Sequence, residues 1–119
     1  MKIALTSKGK TLDDQIDPRF GRAAWFIVYD TETNESSVLP NEQNVTAAQG
    51  AGIQAAQTIA SSGATVLVTG NCGPKAFTAL QAADVSVFSG VAATCKEAIE
   101  SLRRGDMSPA EGASVEGHW

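Results

Sequence analysis

The chain contains few residues of the kinds that build metal centres or catalytic sites. Its 119 residues include one histidine and two cysteines, and the two cysteines, Cys72 and Cys95, stand in no spacing typical of a metal site. The histidine, His118, lies beside Trp119 in a polar terminal segment, so a buried nucleophile–base–acid triad is not expected. The acidic residues fall in loops and in the last predicted helix, which predicts neither a pair of catalytic carboxylates nor a two-metal centre. The composition therefore argues against an enzyme.

Charge and long hydrophobic runs are also scarce, and both limits exclude classes of partner. Only 18% of the residues are charged, the formal net charge is -4 and the pI is about 4.8. Proteins that bind nucleic acids or anionic membranes non-specifically carry an excess of lysine and arginine. This chain does not, so neither is an expected partner. The first ten residues hold only a short apolar run, too short for a secretory signal or a membrane span. Two cysteines fit reduced thiols better than a disulfide scaffold, so we expect a cytoplasmic protein.

The residues that are present predict a single α/β domain. A chain of this length, 43% hydrophobic, supports one core. Short apolar runs predict five strands, and three helices follow from an Ala-rich segment stopped by Gly63, from Pro74 at a helix start, and from a capping box of Thr94 and Glu97. The order is βββαβαβα, with a hairpin in the first half and strand–helix alternation in the second. We expect the domain to span residues 1–105 and residues 106–119 to be a flexible tail.

The strongest local signal is the junction 69–75, Thr-Gly-Asn-Cys-Gly-Pro-Lys, where a buried strand passes into a helix through two glycines. Backbone N–H groups and the positive end of the helix dipole would face a crevice at the carboxyl end of the sheet. A second glycine-rich helix start, at Gly50 and Gly52, would line the same end. Both features favour an anion site, although glycines also serve tight turns and close packing. The candidate residues at the junction are Gly70, Asn71, Gly73 and Pro74.

Cys72 stands just before or within the first turn of that helix, a position that lowers the pKa of a thiol and favours the thiolate. It is therefore a candidate ligand for a soft metal. The alternative is a small side chain packed at a turn, which the absence of a cysteine or histidine at ligand spacing favours. Cys95, on the apolar side of the last helix, is expected in the core.

The loop 17–22, Asp-Pro-Arg-Phe-Gly-Arg, supplies a second set of candidates, Arg19, Phe20, Gly21 and Arg22. Arginine forks suit anions that present several oxygen or sulfur atoms, and Phe20 would offer an apolar wall. The alternative is that Asp17 and the arginines pin the loop through ion pairs.

These segments closely resemble the dinitrogenase iron–molybdenum cofactor biosynthesis family. The resemblance runs from Met1 to about Gly105 and rests on the loop 17–23, the segment 50–56 and the junction 69–77. The family includes NifX-like carriers, the C-terminal domain of NifB-type proteins and the orange protein of sulfate reducers, which holds a molybdenum–copper–sulfide cluster. The resemblance implies a ribonuclease H-like fold with a five-stranded mixed sheet and helices on both faces, without nuclease activity.

The resemblance implies a carrier for an anionic metal–sulfur cluster of Mo/Cu/S or Mo/Fe/S type, with cluster donor and recipient proteins as partners of a monomer or homodimer. It carries over to Arg19, Phe20, Gly21 and Arg22 in the first motif and to Gly50, Gly52, Gly70, Asn71, Gly73 and Pro74 in the others. Two alternatives remain open: a protein-interaction or regulatory module without a cluster, and an enzyme acting on a nucleotide or phosphate.

Overall fold

The computed structural model describes residues 1–41 and 50–112, which form one five-stranded sheet and three helices. The strand order is β3-β2-β1-β4-β5; β2 is antiparallel to β1 and β3, whereas β4 pairs parallel with β1 and β5 with β4. The predicted α/β class and five-stranded mixed sheet are confirmed. In chain order the elements are β1 (Lys2–Ser7), β2 (Trp25–Asp30), β3 (Ser36–Pro40), α1 (Gly50–Ser61), β4 (Val66–Val68), α2 (Pro74–Ala82), β5 (Ser86–Phe88) and α3 (Cys95–Arg104).

Buried strand residues alternate between two apolar clusters because successive side chains of a strand point to opposite faces of the sheet. One cluster packs strand residues such as Ala4, Phe26 and Leu67 against α1 and α2. The other packs Ile3 and Leu5 against α3. The sheet is therefore covered by helices on both faces, with two helices on one side and one on the other.

The ends of α2 and α3 follow their sequence signals. Pro74 opens α2 after Gly73, and the side chains and backbones of Thr94 and Glu97 form the predicted capping box of α3. Gly105 closes α3 in the left-handed region, with φ 75°, where a side chain would be strained. These predicted helix starts and stops are confirmed. They were predictable because capping depends on local sequence.

The segment after α3 returns to the sheet. Met107 packs against the cluster on the α3 face, and the Ala110 N–H donates to the Val87 carbonyl at 2.7 Å, which places residue 110 beside β5. The first part of the predicted tail, residues 106–112, therefore contacts the domain. His118 and Trp119 lie outside the described residues.

Within residues 1–41 and 50–112, no helix is both long enough and apolar enough to cross a membrane.

Candidate functional site

The carboxyl ends of three parallel strands, β1, β4 and β5, lie together at one end of the sheet. We call this end of the sheet, together with residues 17–22 and 69–75 that cover it, the rim. Parallel strands bring their carboxyl ends together, and the segments that follow them meet there. The loop after β1 and the start of α2 after β4 are two such segments. The rim is therefore the place at which the first and third sequence motifs can meet.

The loop after β1 crosses the rim from one face of the sheet to the other. Ile16 is buried in the cluster on the α3 face, whereas Phe20 and Ala23 are buried in the cluster on the α1 and α2 face. The residues between these anchors, 17–19, must therefore pass over the ends of the strands. Arg19, with 46% of its side chain exposed, lies on this crossing.

Buried polar groups fix the crossing to the strand ends. The Asp17 N–H donates to the Thr6 carbonyl at 2.9 Å, and the Thr6 hydroxyl donates to the Asp17 carbonyl at 2.8 Å. The hydroxyl oxygens of Thr6 and Thr69 lie 3.0 Å apart, and because Thr6 uses its proton on Asp17, the proton between the hydroxyls comes from Thr69. Hydrogen bonds among fully buried groups hold β1, β4 and the loop in one arrangement.

Asn71 joins the loop to the third motif. Its carbonyl accepts from the Phe20 N–H at 3.1 Å, its side-chain Nδ2 donates to the Pro18 carbonyl at 3.1 Å, and it forms a parallel bridge with Arg19. Gly70 allows this approach, because a Cβ there would lie 2.5 Å from the Pro18 Cα. The structure thus brings the first and third motifs together.

The first and third motifs expose their basic side chains to solvent, whereas their one acidic side chain, that of Asp17, is buried. Arg19, Arg22 and Lys75 are exposed. Asp17 is 4% exposed, and its Oδ1 accepts from the Arg19 N–H at 3.0 Å and lies 3.9 Å from Arg19 Nε. The predicted ion pair between Asp17 and Arg19 is therefore present, and it holds the loop while much of the guanidinium stays in solvent.

The start of α2 adds a positive dipole end to the rim. Gly73 is its N-cap, no side chain caps the helix, and the first turn contains no acidic residue. The first amide groups of a helix lack intrahelical partners and favour an anion. The geometry therefore places hydrogen-bond donors and two arginines at the rim.

The direction of α1 places the second glycine motif on the same side of the molecule as the rim. The chain after α1 reaches the start of β1, because the Thr65 N–H donates to the Lys2 carbonyl at 3.1 Å. Lys2 is the end of β1 farthest from the rim, and a helix of 12 residues spans about 18 Å, close to the length of β1. Gly50 and Gly52 thus begin α1 on the rim side of the molecule.

Phe20 does not form an open apolar wall, and that interpretation is wrong. The side chain is 0% exposed, with its ring centroid 5.8 Å from that of Phe26. Gly21 is likewise buried, and its carbonyl accepts from Asn41 Nδ2 at 3.1 Å. Both residues position the loop and do not face an anion.

Cys72 is not poised as a thiolate, so the expectation of a lowered pKa is wrong. The residue is 1% exposed within the apolar cluster under α1 and α2, and burial raises the pKa of its thiol to about 12. Burial also raises the pKa of Cys95, which is in the core as predicted. A helix start favours a thiolate only where the sulfur remains near the dipole and water, and here the apolar surroundings outweigh the dipole.

Within the part of the chain that the structure describes, no three histidine, cysteine, aspartate or glutamate side chains come together in a way that could hold a metal ion. The described rim offers positive charge and N–H donors instead of metal ligands. It can therefore hold an anion through charge and hydrogen bonds.

Sequence reasoning missed the groups that lock the rim. Thr6 and Thr69 read as strand residues, and nothing in either strand alone shows that the two hydroxyls meet. The available signal was the position of a threonine at the end of each of two predicted parallel strands.

The match to a family model covers residues 1–105 and carries the description dinitrogenase iron–molybdenum cofactor. Among solved structures, the chain is similar to the apo form of the orange protein from Desulfovibrio gigas, with 44% identity, a TM-score of 0.91 and 96% of each chain covered. A protein from Thermotoga described as NifB-like has 34% identity and a TM-score of 0.82, with 98% of each chain covered.

A more distant structure shares the fold alone. It is a protein from Methanocaldococcus jannaschii described as a dinitrogenase, with 13% identity, a TM-score of 0.67, and 94% of this chain and 96% of that chain covered. No curated protein matches the chain. The family model spans all three motifs that form or adjoin the rim, and the chain therefore belongs to the dinitrogenase iron–molybdenum cofactor family.

Proposed function

We propose that this chain is a non-catalytic carrier that binds an anionic metal–sulfur cluster, or its precursor, at the rim. The observation that carries the proposal is the backbone bridge between Arg19 and Asn71, which brings Arg19, with 46% of its side chain exposed, to the segment that leads into the start of α2. The family description and the likeness to the orange protein support a cluster as the cargo.

Local charge makes binding of an anion favourable despite a net charge of -4. Exposed charges separated by more than about 10 Å are largely screened at 0.1 M salt, so distant acidic residues contribute little at the rim. Arg19 and Arg22 act at short range, and a guanidinium can donate through a planar fork to sulfur or oxygen atoms of one cargo. The rim therefore attracts an anion within an acidic protein.

The cargo is held without direct bonds from protein to metal. Since the described residues offer no group of metal ligands, the cluster would keep its own sulfide ligands and accept hydrogen bonds from guanidinium and backbone N–H groups. The anion-facing residues are Arg19, Arg22, Asn71 and Gly73, while Pro74, which has no N–H to donate, opens α2, and Phe20, Gly21 and Gly70 support the loop. Such a mode permits release, because transfer to a recipient breaks no coordination bond to this chain.

The same proposal assigns the domain and its surroundings. We assign residues 1–105 to a ribonuclease H-like cargo domain, and the strand order β3-β2-β1-β4-β5 with an antiparallel β2 supports that assignment. The chain would act in the cytoplasm between a protein that builds the cluster and a protein that receives it.

Anaerobic reconstitution tests the proposal. Purified chain is incubated separately with tetrathiomolybdate plus copper and with iron, molybdate and sulfide, then desalted and analysed by visible absorption and metal content. We expect one cluster type to remain with the protein at a fixed stoichiometry and to leave in high salt. A chain that retains neither colour nor metal under any of these conditions would contradict a carrier role and favour a regulatory module without a cluster.

A further inference from the structure

The two edges of the sheet differ in how the chain covers them. At one edge, the Ala110 N–H donates to the Val87 carbonyl, so residues after α3 cover β5. At the other edge, β3 has no neighbour beyond it among the described residues. The strand, Ser-Ser-Val-Leu-Pro, contains no charged residue, although charge is a common means by which proteins prevent strand edges from pairing.

The hydrogen-bond register shows which groups of β3 point outward. The Asp30 N–H donates to the Glu35 carbonyl at 2.9 Å, and the Asn41 N–H donates to the Ala24 carbonyl at 3.4 Å. The backbone N–H and carbonyl groups of the odd-numbered residues of β3 therefore point toward β2. Ser36 and Val38 therefore direct their N–H and carbonyl groups away from the sheet, and no described residue pairs with them. Pro40 directs only a carbonyl outward because it has no N–H.

We propose that β3 pairs antiparallel with β3 of a second copy of this chain, forming a homodimer with one continuous sheet of ten strands. Placing Val38 on the two-fold axis satisfies the outward groups best. The two Val38 residues then exchange two hydrogen bonds, and each Ser36 N–H donates to the Pro40 carbonyl of the other copy. The Val38 side chain, 36% exposed, would be covered by its symmetry mate.

Charge at the two ends of β3 favours this antiparallel arrangement. The exposed Glu35 lies at the start of the strand and has no ion pair with the described residues. At the other end, Asn41 Nδ2 donates to the carbonyls of Gly21 and Ala23, which places the exposed Arg22 beside the end of β3. Antiparallel pairing brings Glu35 of each copy toward Arg22 of the other, whereas parallel pairing would bring like charges together.

A second cation lies at the same end of the strand. Lys10 Nζ lies 4.6 Å from the centre of the Trp25 ring, and Trp25 pairs with Pro40. Trp25 and Lys10 lie on the α3 face of the sheet, whereas Glu35 points to the α1 and α2 face, so the acidic start of one β3 meets one cation of the other copy, Arg22, twice by symmetry. This complementarity between the two ends of one strand is what selects a second copy as the partner.

The dimer should be weak, since a single pair of five-residue strands buries less than a standard interface. We expect a dissociation constant on the order of 100 μM. The inference shares Arg22 with the proposed cargo site but rests on the backbone groups of β3, and it is tested on the chain without cargo, so its failure is distinguishable from a failure of cargo binding.

Sedimentation velocity of the full chain over a range of concentrations measures the dimer directly. Val38→Lys places two like charges on the symmetry axis and should raise the dissociation constant by about tenfold or more. Gln81→Lys, an exposed substitution on α2 with the same change in charge and far from β3, is the matched control and should leave the dimer intact. Val38→Pro removes an N–H that has no partner in the monomer, so it should also abolish dimerisation while preserving the thermal unfolding of the monomer.

Oxidative cross-linking tests the register. Val38→Cys should form a disulfide between two copies, since paired antiparallel residues have Cα atoms about 5.5 Å apart. Thr33→Cys should not, and the native cysteines are buried. A chain that remains monomeric up to about 1 mM, a concentration tenfold above the dissociation constant expected for so small an interface, would overturn the proposal. A dimer that survives Val38→Lys would do the same, as would protection of the Val38 amide from exchange in dilute monomer.

Discussion

Pro18 and Gly70 touch backbone to backbone, and this contact sets how closely the loop after β1 approaches the strand β4. A Cβ built on Gly70 would lie 2.5 Å from the Pro18 Cα and 2.9 Å from its carbonyl oxygen. Both neighbours are backbone atoms, so they cannot rotate away as a flexible side chain can. The requirement for glycine at position 70 is therefore steric.

Gly70→Ala should lower the free energy of unfolding by about 1–3 kcal/mol, because an added methyl group forces the loop away from the strand. Urea unfolding measures the change. Gly112→Ala is the control, since nothing lies within 4 Å of a Cβ at that position, and it should leave the unfolding midpoint unchanged. Equal midpoints for the two variants would show that the loop can move at little cost.

Phe20 should contribute more to stability than any other part of the loop. Phe20→Ala removes a fully buried ring packed against Phe26 and should cost about 3–5 kcal/mol. Phe20→Leu keeps most of the apolar volume and should cost less, while still folding. A Phe20→Ala variant with nearly the stability of the native chain would contradict the burial of this side chain.

The sequence predicted the elements of the fold better than the directions of its side chains. Strand count and helix caps follow from local periodicity and capping, which is why the capping box of Thr94 and Glu97 was predictable. The direction of Phe20 was not, because an aromatic residue in a loop can face either solvent or a core that other segments build. The same reason explains Cys72: its position at a helix start is local, whereas the apolar cluster around its sulfur is assembled from distant segments.

The raised pKa of Cys72 predicts a loss of stability in alkali. An unfolded thiol ionises near pH 9.0, whereas the folded thiol keeps its proton to about pH 12. Below pH 9 both states are protonated, so stability is unaffected; above it the unfolded state releases a proton first, and the free energy of unfolding falls as pH rises toward 12. The slope from this group is about 1.4 kcal/mol per pH unit.

Cys72→Ala tests that linkage and the role of the thiol together. Urea unfolding at several pH values between 8 and 11 should show a shallower decline for the variant than for the native chain. Reconstituted Cys72→Ala should also retain its cargo, because a protonated, buried thiol is a poor metal ligand. Loss of the cargo from a folded variant would show that Cys72 binds the metal after all.

Asp17 should weaken binding of an anion while it holds the loop. Asp17→Asn keeps an oxygen that can accept from the Arg19 N–H but removes the negative charge 3.9 Å from Arg19 Nε. We expect cargo affinity to rise about two- to fivefold, the effect of removing one nearby charge in a partly solvated site. Asp13→Asn makes the same change in net charge on an exposed residue and is the control. A weaker affinity for a folded Asp17→Asn would show that the carboxylate is needed to position Arg19.

The measurement that most directly tests the positive rim is cargo affinity after removal of two arginines. In Arg19→Gln/Arg22→Gln, the affinity for the reconstituted cluster should fall at least about tenfold, because losing even one charge-assisted hydrogen bond costs about 1.5–3 kcal/mol and about 1.4 kcal/mol corresponds to a factor of ten. Lys2→Gln/Arg104→Gln removes the same charge far from the rim and should leave affinity nearly unchanged. Equal losses in the two double variants would show that net charge alone governs binding, and no loss in either would contradict the rim as the site.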